Sequence, residues 1–327
     1  MELLNESTVI DYLIDHGVVT STEDPRVEIL TGGVSNTVLS ITTKYQDLVL
    51  KQALPELKVA QKWEADPRRA IVEADALRLF HEISPTVVPK LVFIDPIEFV
   101  LIMERLPLGS SVWKSDLLTG IFNPMVPEVL GKTLAEWHHF GAEHPKYQSK
   151  FKEDTLFEQL RVDPFYRFVG DKNPYLQKSI FALIDELKSD NSTIVHGDFS
   201  PKNIMVTPGE QVYVLDFEVM HVGNPIFDLA FLVSHLLCKF FRAENDQMAL
   251  QLASLADKFL SKYEASHSIS SSLPLHTALI ALARVEGKSP VDYLNKSAQV
   301  KLQKFTKNIL RNRDVVDARK LFELSAR

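Results

Sequence analysis

Between Ile194 and Val206 the chain carries the pattern His196-Gly197-Asp198, four residues, then Asn203. Thirteen residues after Asn203 comes Asp216, at the end of the apolar run Val214-Leu215 and followed by Phe217-Glu218. A carboxylate such as Asp198 can accept the proton of a hydroxyl group and orient its oxygen. Asn203 and Asp216 offer the hard oxygen donors that magnesium prefers. Those abilities are what transfer of a phosphoryl group to a hydroxyl asks of a protein, since catalysis there is mostly positioning and charge neutralisation. His196 reads as a brace that holds the loop by hydrogen bonds and not as the base. Nine residues separate Glu218 from Asp228, which opens the apolar run Leu229-Ala230-Phe231-Leu232. Asp228 reads either as a helix cap or as an anchor for the 196–203 loop, and the two roles are compatible.

The elements that must position these residues divide the chain. Residues 1–20 read as an amphipathic helix, with none of the basic and apolar blocks of a signal peptide. Alternating and β-branched residues at 27–30, 37–41 and 47–51, parted by turn residues, predict antiparallel strands. Asp66-Pro67 supplies an N-cap and a first-turn proline for a helix running to about His81. Two more strands follow between Val87 and Met103, broken at Asp95-Pro96. Beyond Leu108-Gly109-Ser110 the apolar period becomes helical, at 126–140, 176–188, 226–241, 246–264, 274–284 and 297–322. Strands remain at 193–196 and at the pair 203–206 and 211–216, joined by the turn Thr207-Pro208-Gly209-Glu210. The expected architecture is α+β: a small β-rich N-lobe (1–104), a polar hinge near 104–110, and a larger, mostly helical C-lobe (105–327).

The central pattern is similar to the protein-kinase template H-R-D-x-x-x-x-N followed by D-F-G, with Gly197 in place of Arg and Glu218 in place of Gly. That template asks for a lysine to hold the α- and β-phosphates of ATP, at the end of a strand after a glycine turn. Lys51 stands there. Glu73 shares a helix face with Ala70, Ala74 and Leu77. A carboxylate on an apolar stripe is costly unless paired, and Lys51 is its natural partner, with Arg69 as the competing neighbour. Gly32, Gly33, Ser35 and Asn36 lie between two strands, where backbone N–H groups can approach phosphate oxygens; no Walker A lysine follows. The short interval after Glu218 leaves no room for a long activation segment, and no A-P-E sequence occurs. A groove for protein substrates is therefore not expected, and the acceptor is expected to be a small molecule bearing a hydroxyl.

Bulk properties fit this reading. The chain has 327 residues, 45% hydrophobic and 24% charged, with a formal net charge of −7. That balance suits a two-lobed globular enzyme and excludes a broad nucleic-acid footprint. No run approaches the ~18 apolar residues of a membrane span. The lone Cys238 excludes a disulfide within the chain, reads as a buried thiol, and fits a cytoplasmic setting. The acidic surplus lies before Phe240, whereas the remainder is net basic. Solvated helix faces explain this simply; taken as a signal, it favours a neutral or anionic substrate over a polycation. His138-His139, adjacent on a helix, point about 100° apart and cannot easily share a metal. No C-x-x-C or H-E-x-x-H suggests zinc.

On Gly32-Gly33-Val34-Ser35-Asn36, Lys51, Glu73, His196 to Asn203 and Asp216-Phe217-Glu218, the chain resembles the aminoglycoside phosphotransferase and choline kinase family, which has a protein-kinase-like fold. Leu48 to Pro55, with Trp63, and Val162-Asp163-Pro164-Phe165-Tyr166 are similar to methylthioribose kinases within that group. The resemblance implies ATP and Mg2+ as cofactors and a second-metal role for Glu218. It further implies adenine recognition by the backbone from Glu104 to Leu106, and a substrate contact near Arg284, whose plainer role is a surface salt bridge. A pseudokinase that binds nucleotide without turnover is the alternative; a protein kinase and a nucleotide hydrolase are further rivals.

Overall fold

Five antiparallel strands, in the order β1-β2-β3-β5-β4, form the sheet of the N-terminal part: β1 Arg26–Ile29, β2 Asn36–Thr42, β3 Asp47–Ala53, β4 Leu91–Asp95 and β5 Val100–Glu104. The structure is a computed structural model and describes residues 3–30, 36–56 and 66–323. The chain forms two compact units, Met1–Ser110 with Thr207–Val219, and Ser111–Val206 with Met220–Arg327. Relative to the expected division at 104/105, the first unit runs six residues further and takes back the segment that carries Asp216.

Strand periodicity decides what each face of the sheet holds, because successive side chains alternate. Leu39, Ile41, Leu48, Leu50, Val100 and Ile102 form one core with Val9 and Leu13 of the helix α1 (Val9–Asp15). Lys51, one residue out of step with Leu48 and Leu50, belongs to the other face, against which α2 (Arg69–Ile83) packs. α1 is shorter than the expected 1–20. α2 begins at Arg69, because Asp66 closes a local turn: its Oδ1 accepts the Arg68 N–H at 2.9 Å.

In the second unit, Met125–Glu143, Gln177–Ser189, Ile226–Arg242, Asp246–Glu264, Leu273–Glu286 and Lys296–Asn312 are helices, all at expected places. The last stops ten residues early: Arg313 takes a left-handed backbone (φ 57°), and a separate turn, Ala318–Phe322, follows. Thr193–Val195 pairs antiparallel with His221–Gly223, and Ser111–Val112 with the strand Ile204–Val206. Both partner strands are too short for their periodicity to show. Glu158–Arg167 is a π-helix, a wide turn that tolerates Pro164 inside it. Cys238 is fully buried, and burial pushes its thiol up to about 11. Among the described residues no helix is long and apolar enough to cross a membrane.

Candidate active site

In the first unit, five charged side chains close into three ion pairs. Lys51 Nζ, at the end of β3, lies 2.7 and 2.8 Å from the two carboxylate oxygens of Glu73 on α2 and 2.7 Å from Asp216 Oδ1. Lys51 and Glu73 are 8% and 2% exposed, so each needs the other. The Glu73 carboxyl is raised to about 7, chiefly by burial; Lys51 opposes the rise, and Asp216 and Glu218 add to it. For Lys51, burial lowers the ammonium's proton affinity, but Asp216, Glu73 and Glu218 more than reverse that. Arg69 is not the partner of Glu73: its Nε reaches Glu218 Oε2 at 3.1 Å and its Nη2 donates to Leu54 O. Asn36 Nδ2 donates to the same Glu218 oxygen at 3.4 Å. Glu218 thus has a guanidinium beside it, an environment the resemblance did not foretell for a metal ligand. Asp216 sits at φ 70°, a left-handed conformation that Asp tolerates better than most residues.

At the end of β5 the amides of Glu104 and Arg105 donate to Lys90 O and Asp47 O, so Leu106 is the first residue past Met103 whose amide the sheet does not use. Gly32, Gly33 and Ser35 lie outside the described residues, as does Trp63.

In the second unit the 196–203 loop is pinned from beneath. Asp228, in the first turn of the helix Ile226–Arg242, accepts the His196 N–H at 2.7 Å and the Gly197 N–H at 2.8 Å. It is therefore an anchor of the loop and caps nothing of its own helix. Burial pushes its carboxyl up, but the His138 hydrogen bond, the charges of His138 and His196 and the backbone amide hold it below the usual range. His196 Nδ1 accepts the Asp198 N–H at 3.1 Å. Gly197 takes φ 76°, which glycine adopts without strain.

Asp198 is 1% exposed, and its two oxygens differ. Oδ2 faces Arg161 Nη2 at 2.9 Å, Lys202 Nζ at 2.8 Å and Asn203 Nδ2 at 2.8 Å. Oδ1 is buried without a hydrogen-bond partner. Asn203 also gives its amide nitrogen to Asp198 O at 2.9 Å, which leaves its side-chain oxygen as the atom a hard cation would use. That donor set fits magnesium. No group of three or more His, Cys, Asp or Glu among the described residues is arranged to hold a metal by itself.

Arg161 and Lys202 escaped the sequence reading, as did the tie between His138 and Asp228. Arg161 also donates from Nε to Gly197 O at 2.7 Å, and only its place on an aperiodic stretch beside Val162-Asp163-Pro164 hinted at a role. His138 bridges Tyr263 OH and Asp228 Oδ2 at 2.9 and 3.3 Å. It is a buried core histidine, as expected, and also a second support for the anchor. Arg284 forms no ion pair among the described residues, so its expected surface salt bridge is not what the structure shows; its guanidinium lies over the Phe165 ring at 5.3 Å.

A model of the phosphotransferase enzyme family, APH, matches residues 26–263. The chain is 25% identical over 280 residues to a methylthioribose kinase of Bacillus mycoides (strain KBAB4), covering 76% of this chain and 69% of that protein. Among solved structures it is similar in fold to amicoumacin kinase hAmiN in complex with AMP-PNP, Ca2+ and Ami (TM-score 0.60, 15% identity, 97% of each chain covered). It is also similar to choline kinase LicA from Streptococcus pneumoniae (TM-score 0.52, 15% identity, 93% of this chain and 98% of that one).

Proposed function

We propose, for a chain that belongs to the phosphotransferase enzyme family, that it transfers the γ-phosphoryl group of ATP to a hydroxyl group of a small molecule, with magnesium, and with Asp198 as the general base. The observation that carries this reading is the asymmetry of Asp198. Three donors fix Oδ2, while Oδ1 is buried and unpartnered. An oxygen so prepared can accept one hydrogen bond from an acceptor hydroxyl and take its proton as the new O–P bond forms. The three donors hold the carboxylate in one orientation.

Lys51, fixed by Glu73, would hold the α- and β-phosphates. The Leu106 amide and the Glu104 carbonyl are the candidates for adenine. Asp216, the Asn203 oxygen and Glu218 are each proposed as donors to the divalent cation; when bound, that ion neutralises charge on the phosphate oxygens. His196 and Asp228 keep the loop in shape. Gly32, Gly33, Ser35 and Asn36 are proposed to approach the phosphates. A cytoplasmic setting fits a chain with a single, buried cysteine.

Magnesium-dependent ADP release across methylthioribose, other sugars, choline, homoserine and aminoglycosides tests this reading. An acceptor-dependent rate is the expected result. Tight ATP binding with no such rate, on these and on a wider set of hydroxyl compounds, would favour a pseudokinase.

A further inference from the structure

Close to Asp198, the second unit buries positive charge that nothing in the described chain neutralises. Lys239 is 2% exposed, and the one bond its Nζ makes among the described residues is a long one, 3.4 Å, to His235 O. Arg284 has a buried Nε without a partner. Neither cation has a carboxylate within ion-pair distance among the described residues. The acids nearest in sequence are engaged elsewhere: Glu286 with Lys307 and Asn173, and Asp292, largely exposed, with Lys114 at 3.7 Å. His235 Nε2 and Tyr293 OH, both buried, are likewise unpartnered.

These groups form one cluster. Phe231, His235 and Lys239 recur every fourth residue, and so share a face of the helix Ile226–Arg242. Lys239 Nζ lies 5.0 Å from the centre of the Tyr293 ring, and Lys114 Nζ lies 5.7 Å from it. The cluster is also tied to the base. Arg161, paired with Asp198, stacks on Phe231 at 5.5 Å. The Phe231 ring lies 5.3 Å from His235 and 5.6 Å from Phe165, and Phe165 carries Arg284. The Lys239 ammonium is depressed to about 7, chiefly by burial; Cys238 opposes this, and Lys114, Arg284 and Arg242 add to it. Burial lowers Arg284 as well.

An unpaired buried cation costs several kcal/mol, and the orphaned polar atoms here are ones that donate: ammonium, guanidinium, phenol, and an imidazole nitrogen in one of its tautomers. A fold carrying that cost beside a base is built for oxygens that arrive with a ligand. We propose that the phosphate acceptor is anionic, carrying a carboxylate or phosphate group that Lys239, Arg284, His235 and Tyr293 hold while its hydroxyl reaches Asp198. The inference rests on the phosphotransferase reading above and narrows it. Cationic acceptors such as amino alcohols and aminoglycosides would meet like charge at this site.

Two measurements test it. The first needs no turnover: thermal unfolding of the full chain with inorganic phosphate or acetate, without nucleotide or metal, for the wild type and Lys239→Met. Methionine keeps the length of the side chain and removes the buried charge, so the ligand-free variant should unfold at the same or a higher temperature. Phosphate, acetate or both should protect the wild type more than the variant; equal protection by each anion would overturn the proposal. The second compares matched acceptors, ribose with ribose 5-phosphate and glycerol with glycerate, alongside choline and kanamycin. An anion-bearing acceptor should be preferred over its neutral counterpart. Lys239→Met should raise its KM about 10- to 100-fold, the size of one lost charge-assisted hydrogen bond, with KM for ATP little changed. Transfer to neutral or cationic acceptors in preference would overturn the inference and leave the phosphotransferase reading intact. Phosphate protection that depends on Lys239, in a protein that releases no ADP with any acceptor, would do the reverse.

Discussion

Two buried groups of charge, one in each unit, are built on opposite plans. Around Lys51 the signs are matched inside the chain: the ammonium meets Glu73 and Asp216, and Arg69 meets Glu218. Around Lys239 and Arg284 they are not; donors face donors, and among the described residues no carboxylate closes the set. Burying matched charges costs desolvation but leaves each group satisfied, whereas unmatched ones remain a standing cost. The comparison separates groups held in place in advance for the reaction from groups whose partner comes from solution.

Substitutions that break each plan should therefore act in opposite directions on stability. Asp216→Ala should remove metal-dependent nucleotide binding altogether, measured by titration with and without magnesium; unchanged affinity with the metal would exclude Asp216 from holding it. Lys51→Met leaves Glu73 buried without its partner and should cost about 3–5 kcal/mol in denaturant unfolding, as breaking a buried pair does. Asp228→Ala should cost about 1–3 kcal/mol for each loop amide left unsatisfied, and lower kcat more than it alters KM for ATP. Smallest is a pH effect. The folded-state pKa of Lys239, near 7, lies below its unfolded value, so the unfolded chain binds more protons between the two. The cost of burying Lys239 is full below about pH 7 and diminishes as pH rises above it. Wild type should gain stability relative to Lys239→Met between pH 7 and 9, read from unfolding midpoints at each pH; a constant difference would place Lys239 in a more polar setting.

Much of this was legible in the sequence, for reasons that differ by region. The strands and helices of ordinary length followed from apolar period, and the pairing of Lys51 with Glu73 followed from a carboxylate on an apolar stripe. The His196 to Asn203 loop was readable because its chemistry demands particular residues at fixed spacing. Arg161 was not, because a π-helix around Pro164 has no period to detect. Nor was the pairing of Arg69 with Glu218, which lies 149 residues further along the chain. Nothing in the sequence singled out Lys239; that it is buried with no carboxylate within ion-pair distance among the described residues is a property of tertiary packing.

The asymmetry of Asp198 is the claim on which the function rests. Asp198→Asn keeps the shape of the side chain and removes its capacity to take a proton, so phosphoryl transfer measured as ADP release with the best acceptor should fall by about 10²- to 10⁴-fold, with ATP still bound at wild-type affinity. Turnover at the wild-type rate in that variant would contradict the account.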